Sequence, residues 1–112
     1  MGGVTAELFN DTTLRLAPVS IADAEAMIDE LKVARLLQGY RGRPKGDVAA
    51  LASAIVAFSN MVMELGDRLA EAEINPLFVL PEGQGVRAAD GLVVLRPAAA
   101  YQQGPHRSFE SI

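Results

Sequence analysis

The chain has no cysteine, one histidine and few aromatic side chains, 5% of its 112 residues. Without cysteine there is no disulfide framework, no thiolate nucleophile and no Cys-based zinc site, a composition compatible with the cytoplasm. With so few aromatics, the core must be built from Ala, Val, Ile, Leu and Met. Basic residues are outnumbered, 10 to 14, and the formal net charge is −4. That balance gives no electrostatic reason to expect nucleic acid as a partner. The N-terminal residues Met1 to Thr5 lack the basic flank and apolar core of a signal peptide. By reading along the sequence, no stretch is long and apolar enough to cross a membrane. What remains is an ordinary globular composition, 50% hydrophobic and 21% charged, of a length that suits one modest domain.

Val4 to Phe9 and Thr12 to Leu16 flank the turn residues Asn10-Asp11 and predict a first hairpin. Ser20, followed three residues on by Asp23, marks a helix start. Ala24, Met27, Ile28 and Leu31 continue at helical spacing, so a helix is predicted over 20–32. A short helical piece follows over 33–38, stopped by Gly39. GYRGRPKGD, residues 39–47, is a loop, and Asp47 caps the longest helix. Its apolar stripe is Leu51, Ile55, Phe58, Val62 and Leu65, with Gly66 at the C-cap. Met61 and Met63 read as packing residues. Leu69–Leu80 and Val86–Leu95 then form a second hairpin around PEGQG. From Pro97 the sequence has no period, which predicts a flexible tail over 97–112 behind a single unit over 1–96. The order β-β-α-α-α-β-β predicts an α+β domain, an antiparallel sheet with helices packed on one face.

The second hairpin holds the chemistry. Its apolar arms carry Glu73, Asn75 and Asp90, residue types that buried strands avoid. Alternation puts Glu73 and Asn75 on one face and Ile74, Pro76 and Phe78 on the other. A turn centred between Glu82 and Gly83 sets Asn75 opposite Asp90, with Cβ atoms about 4.5–5.5 Å apart. Two carboxylates and an amide oxygen on one face are hard ligands suited to Mg²⁺, which completes its octahedron with water and phosphate oxygens. A solvated surface strand accounts for the same pattern without a metal. Arg41, Arg43 and Lys45 alternate with Gly and Pro. Such a loop can offer cations and N–H groups to phosphate, or serve as an exposed connector. Glu7 either faces the site or solvates an edge.

Several segments in order resemble one family. They are GGVTAELFNDTTLRLAP (residues 2–18), the helix of Ala24 to Leu37, the loop Gly39-Tyr40-Arg41-Gly42-Arg43-Pro44, and Glu73-Ile74-Asn75-Pro76-Leu77 with the Asp90 strand. Together they resemble the C-terminal part of the ATP-grasp domain of NDP-forming acyl-CoA synthetases, to which succinyl-CoA synthetase β subunits are related. The resemblance implies Mg²⁺ and ATP as cofactors. It implies Asn75 and Asp90 at metal-ligand positions, Glu73 at the acidic position two before the Asn, and Arg41 and Glu7 near the nucleotide. The family's nucleotide-lobe lysines, phosphate-covering loop, CoA-binding domain and phosphorylated histidine have no counterpart here; His106 matches no family position. The expectation is therefore half of an ATP-grasp domain, not catalytic alone, whose partner is the missing lobe or a full-length synthetase chain. The alternative is a non-catalytic assembly module derived from that fold. Surface left uncovered in such a fragment favours a homo-oligomer, with residues 3–9 as a candidate pairing edge.

Overall fold

The computed structural model describes residues 11–39, 42, 44–97 and, for the backbone, 109–111. The predicted strand over 4–9 lies outside them, with Glu7, as do Tyr40, Arg41 and Arg43 of the loop. The elements are β1 (Leu14–Leu16), α1 (Ile21–Glu30), α2 (Ala34–Leu37), α3 (Val48–Leu65), a 3₁₀ turn (Gly66–Arg68), β2 (Leu69–Ile74), β3 (Leu77–Val79), β4 (Val86–Ala88), β5 (Gly91–Leu95) and β6 (Phe109–Ser111). Helices and antiparallel strands make an α+β fold, as the sequence pattern predicts. The described strands pair as three two-stranded ladders, β1–β6, β2–β5 and β3–β4. Among the described residues β1 pairs with a segment of the predicted tail, Phe109–Ser111.

Helix α1 starts with a full capping box. Asp23 N–H donates to Ser20 Oγ and Ser20 N–H donates to Asp23 Oδ2, both at 3.0 Å. These bonds, the one from the Ser20 backbone foremost, hold the Asp23 carboxyl below its ordinary range. The helix ends where Leu31 turns to extended backbone. Just beyond, the buried Asp11 carboxylate accepts the N–H groups of Lys32 at 2.6 Å and Val33 at 3.0 Å. Asp11, a turn residue by sequence, is thus a remote cap for the bend between α1 and α2. At the other side of that bend Glu30 ion-pairs with Arg15 and accepts from Thr13 Oγ1 at 2.7 Å. Arg15 first and Thr13 second hold its carboxyl low.

The core joins α1, α2 and α3: Val19, Ala24, Met27, Ile28, Leu37, Leu51, Ala52 and Ile55, with Leu77, Val79 and Val86 of the β3–β4 ladder packed against it. Each large side chain fully withdrawn from water contributes about 1.5–3 kcal/mol. The buried face of α3 is Leu51, Ala52, Ile55, Ser59 and Val62. Phe58 and Leu65, predicted for the stripe, are half-buried, and Met63, predicted to pack, is exposed. The face rotates toward Ser59 because its hydroxyl satisfies a buried donor. Fully withdrawn from water, Ser59 Oγ accepts the Val19 N–H at 2.8 Å.

Helix α3 corrects the expectation that no stretch could cross a membrane. Val48–Arg68 forms a 21-residue helical segment that contains an 18-residue stretch long and apolar enough, by length and composition alone, to do so. Apolar residues lie on every side of it, interrupted by Ser53, Ser59, Asn60 and Glu64, and Glu64 is the one charged side chain within α3. Only one of its faces is taken up by the core.

Candidate functional site

From Glu71 to Val79 the two long β arms keep one register. Ile74 pairs with Gly91 and Glu73 with Leu92; Leu77 pairs with Ala88 and Val79 with Val86. Between the two ladders, Asn75 N–H donates to Asp90 O at 3.1 Å and Ala89 N–H donates to Pro76 O at 3.0 Å. Asn75 therefore stands opposite Asp90, the pairing expected from a turn centred between Glu82 and Gly83. The Asn75–Pro76 peptide is cis, and it falls where the β2–β5 ladder gives way to β3–β4. Leu77, Val79 and Val86 of that second ladder face the core. Across the junction the hydrogen-bonded position passes from Asn75 and Asp90 to the adjacent Pro76 and Ala89, so the alternation restarts there; within the β2–β5 ladder Glu73, Asn75, Asp90 and Leu92 share one face.

All three candidate ligands are exposed. Asp90 Oδ1 accepts the Gly91 N–H at 2.8 Å, which orients the carboxylate. Glu73 faces Leu92 rather than Asp90, two residues along the strand from Asn75, or about 6.7 Å. The hairpin thus brings together Asn75 and Asp90 and sets Glu73 one step away. Among the described residues no three His, Cys, Asp or Glu side chains cluster as a metal cage. One carboxylate, one amide oxygen and a nearby second carboxylate suit a cation shared with water and phosphate rather than one enclosed by protein.

What steadies this hairpin was not legible as site chemistry. Asp47, buried at the start of α3, accepts the Ala50 N–H at 3.1 Å through Oδ1. Its Oδ2 accepts two more from the hairpin tip, Gly83 N–H at 3.1 Å and Gly85 N–H at 2.8 Å. Both glycines have positive φ, 88° and 86°, a conformation that turns their N–H groups inward and that L side chains resist. The bonds from Ala50, then Gly85 and Gly83, hold the Asp47 carboxyl below its ordinary range against the opposing effect of burial. Backbone bonds extend the clamp: Asp47 N–H to Leu80 O at 2.8 Å, Glu82 N–H to Lys45 O at 2.8 Å, and Gly46 N–H to Leu37 O at 2.7 Å. Lys45 also pairs with Glu82 at 3.6 Å. Gly46 is packed so closely that a Cβ there would meet Leu37 Cδ2 at 3.1 Å and Val79 Cγ1 at 3.3 Å. The signal for this clamp in the sequence is the pair Gly83 and Gly85, which needs an acceptor. Of the predicted nucleotide contacts, Glu7 and Arg41 lie outside the described residues. A nearby pocket is lined, among the described residues, by Leu36, Leu37, Pro44, Gly46, Val79, Leu80 and Pro81, none of them titratable.

With this geometry in place, comparison with known proteins assigns the family. The family described as ATP-grasp domain matches residues 1–95, and the chain belongs to it. Among curated relatives, the β subunit of acetate–CoA ligase (ADP-forming) II of Pyrococcus furiosus is 33% identical over 96 residues, covering 86% of this chain and 41% of the relative. A trans-feruloyl-CoA synthase from an unknown prokaryotic organism is 42% identical over 94 residues, covering 84% of this chain and 13% of the relative. Among solved structures, an acetyl-coenzyme A synthetase of Ca. Korarchaeum cryptofilum, in complex with coenzyme A and Mg-AMPPCP, superposes with a TM-score of 0.78 at 38% identity. That likeness covers 86% of this chain and 44% of the other. The chain thus spans less than half the length of each of these relatives.

Proposed function

We propose that this chain is the C-terminal lobe of an acyl-CoA synthetase ATP-grasp domain, contributing one side of a Mg²⁺–nucleotide site and requiring the remaining lobe for catalysis. The observation that carries the reading is the Asn75–Asp90 pair at the junction of two ladders, with Glu73 one step along the same face. In this reading Asn75 and Asp90 hold the cation, and Glu73 supplies a ligand directly or through water. The metal, when bound, screens phosphate charge and orients the triphosphate for transfer. The clamp at Asp47 keeps the hairpin in register, and with it the pair. Such a lobe would work in the cytoplasm beside a synthetase chain that supplies the nucleotide pocket. The surface is consistent with burial in something larger. Leu92, Val93, Val94 and Leu95 are exposed between 39% and 50%, and the outer face of α3 is Ala49, Ser53, Ala57, Asn60 and Met63.

That same apolar ribbon favours the second reading, an assembly module in which the pair is idle. One experiment separates them. The chain is combined with a polypeptide carrying the rest of the domain, and Mg²⁺–ATP is titrated calorimetrically. Our reading expects binding that weakens about a hundredfold in the Asn75→Ala/Asp90→Ala variant, through loss of two direct metal ligands. Tight association of the two polypeptides with no effect of the double substitution would favour the assembly module.

A further inference from the structure

Strand β5 has one edge paired with β2, and among the described residues its other edge pairs with no strand. All five of its residues, Gly91-Leu92-Val93-Val94-Leu95, are exposed. None is charged and none is proline, so the strand lacks the features that ordinarily protect an edge. The ladder's other outer edge is different. Strand β2 carries Glu71 and Glu73 and a register shift between Leu69 and Glu71. Antiparallel self-pairing of β2 about Ala72 would set Glu71 against Glu73 of the other copy, like charge against like.

We infer that β5 is a self-association edge, covered by β5 of a second copy of this chain in antiparallel register about Val93. Complementarity selects this register. With the twofold axis at Val93, Leu92 faces Val94 of the other copy, Gly91 faces Leu95, and Asp90 faces Arg96. The run from Asp90 to Arg96 is therefore its own complement, an apolar centre closed at each end by opposite charges. Shifting the register by two residues in either direction loses both charge pairs. An isologous contact of this kind closes as a dimer and does not propagate. It joins the two ribbons into one four-stranded sheet, β2–β5–β5–β2, which is more stable than an isolated pair of strands. The charged ends are held in place: Asp90 Oδ1 by Gly91 N–H, and Arg96 by Nη1 donation to the carbonyl oxygens of Asp67 and Leu69. A guanidinium carries five N–H donors in a fork that matches a carboxylate.

The inference stands apart from the metal reading, because association is measured in EDTA. Sedimentation equilibrium over a range of concentrations is expected to show a monomer–dimer equilibrium. Asp90→Arg and Arg96→Asp are each expected to weaken it about tenfold, since each turns two attractive pairs into repulsive ones. The double reversal Asp90→Arg/Arg96→Asp is expected to restore it. Arg96 also braces the 3₁₀ turn, so Val93→Lys, which sets two ammonium groups at the twofold axis, serves as an independent variant; circular dichroism checks that each folds. Val93→Lys is expected to abolish the dimer. A wild-type chain that stays monomeric at the highest concentration overturns the inference. So does a dimer whose strength is unchanged by Asp90→Arg and by Val93→Lys.

Discussion

Replacing Asp47 with alanine is expected to lower the melting temperature of the chain by about 10 °C or more, because three backbone donors lose their acceptor at once. Those donors belong to two elements, Ala50 in the first turn of α3 and Gly83 and Gly85 in the tip between β3 and β4. The substitution removes a helix cap and also unfastens the hairpin from the helix start. Two backbone bonds, from Asp47 N–H to Leu80 and from Glu82 N–H to Lys45, remain to limit the damage. The pH dependence has a definite sign. The Asp47 carboxyl is held below its ordinary range in the folded chain. Its contribution is therefore complete above the unfolded pKa, about 3.9, and is lost as pH falls through the lower folded value. Scanning calorimetry of wild type and Asp47→Ala should give a constant gap in melting temperature near neutral pH. That gap should narrow below about pH 4. A gap unchanged down to the acid limit would show that the carboxylate charge is not what the glycine N–H groups read.

Leu51→Ala is expected to cost about 3–4 kcal/mol, the upper part of the range for a large core side chain cut back to a methyl. Leu51 is fully buried on the inner face of α3 and belongs to the cluster that joins α1, α2 and the β3–β4 ladder. Its neighbours are anchored from three sides, which limits collapse into the space left behind. Urea unfolding should show a lower midpoint with an unchanged slope. Met63→Ala, on the exposed side of the same helix, should change stability by no more than about 0.5 kcal/mol. Equal costs at the two positions would contradict the assignment of the buried face.

The elements with strong local signals were legible from the sequence. Ser20 and Asp23 announced α1, Asp47 and Gly66 bounded α3, and the alternation on either side of PEGQG fixed a register that set Asn75 against Asp90. Long-range polar contacts were not legible. Asp11 reads as a turn residue, yet its carboxylate serves N–H groups 21 and 22 positions away. Asp47 reads as a cap, yet two of its three donors lie 36 and 38 positions away. The burial of Ser59 ahead of Phe58 follows from the orphan Val19 N–H, which no periodicity reveals. The apolarity of α3 extends beyond the inner stripe that helical periodicity marks. Glu73 was expected in one cluster with Asn75 and Asp90; pairing places it against Leu92, a step along the strand.

Asn75 and Asp90 as one side of a cation site is the claim on which the proposed function rests, and paramagnetic titration tests it most directly. Mn²⁺, a substitute for Mg²⁺ with the same taste for oxygen ligands, is added to the ¹⁵N-labelled chain, and amide signals are followed for broadening. Asn75, Asp90 and Gly91 are expected to broaden first, with Glu73 close behind, and the Asn75→Ala/Asp90→Ala variant is expected to lose the effect. Broadening spread evenly over the acidic surface, or identical in the variant, would contradict the claim.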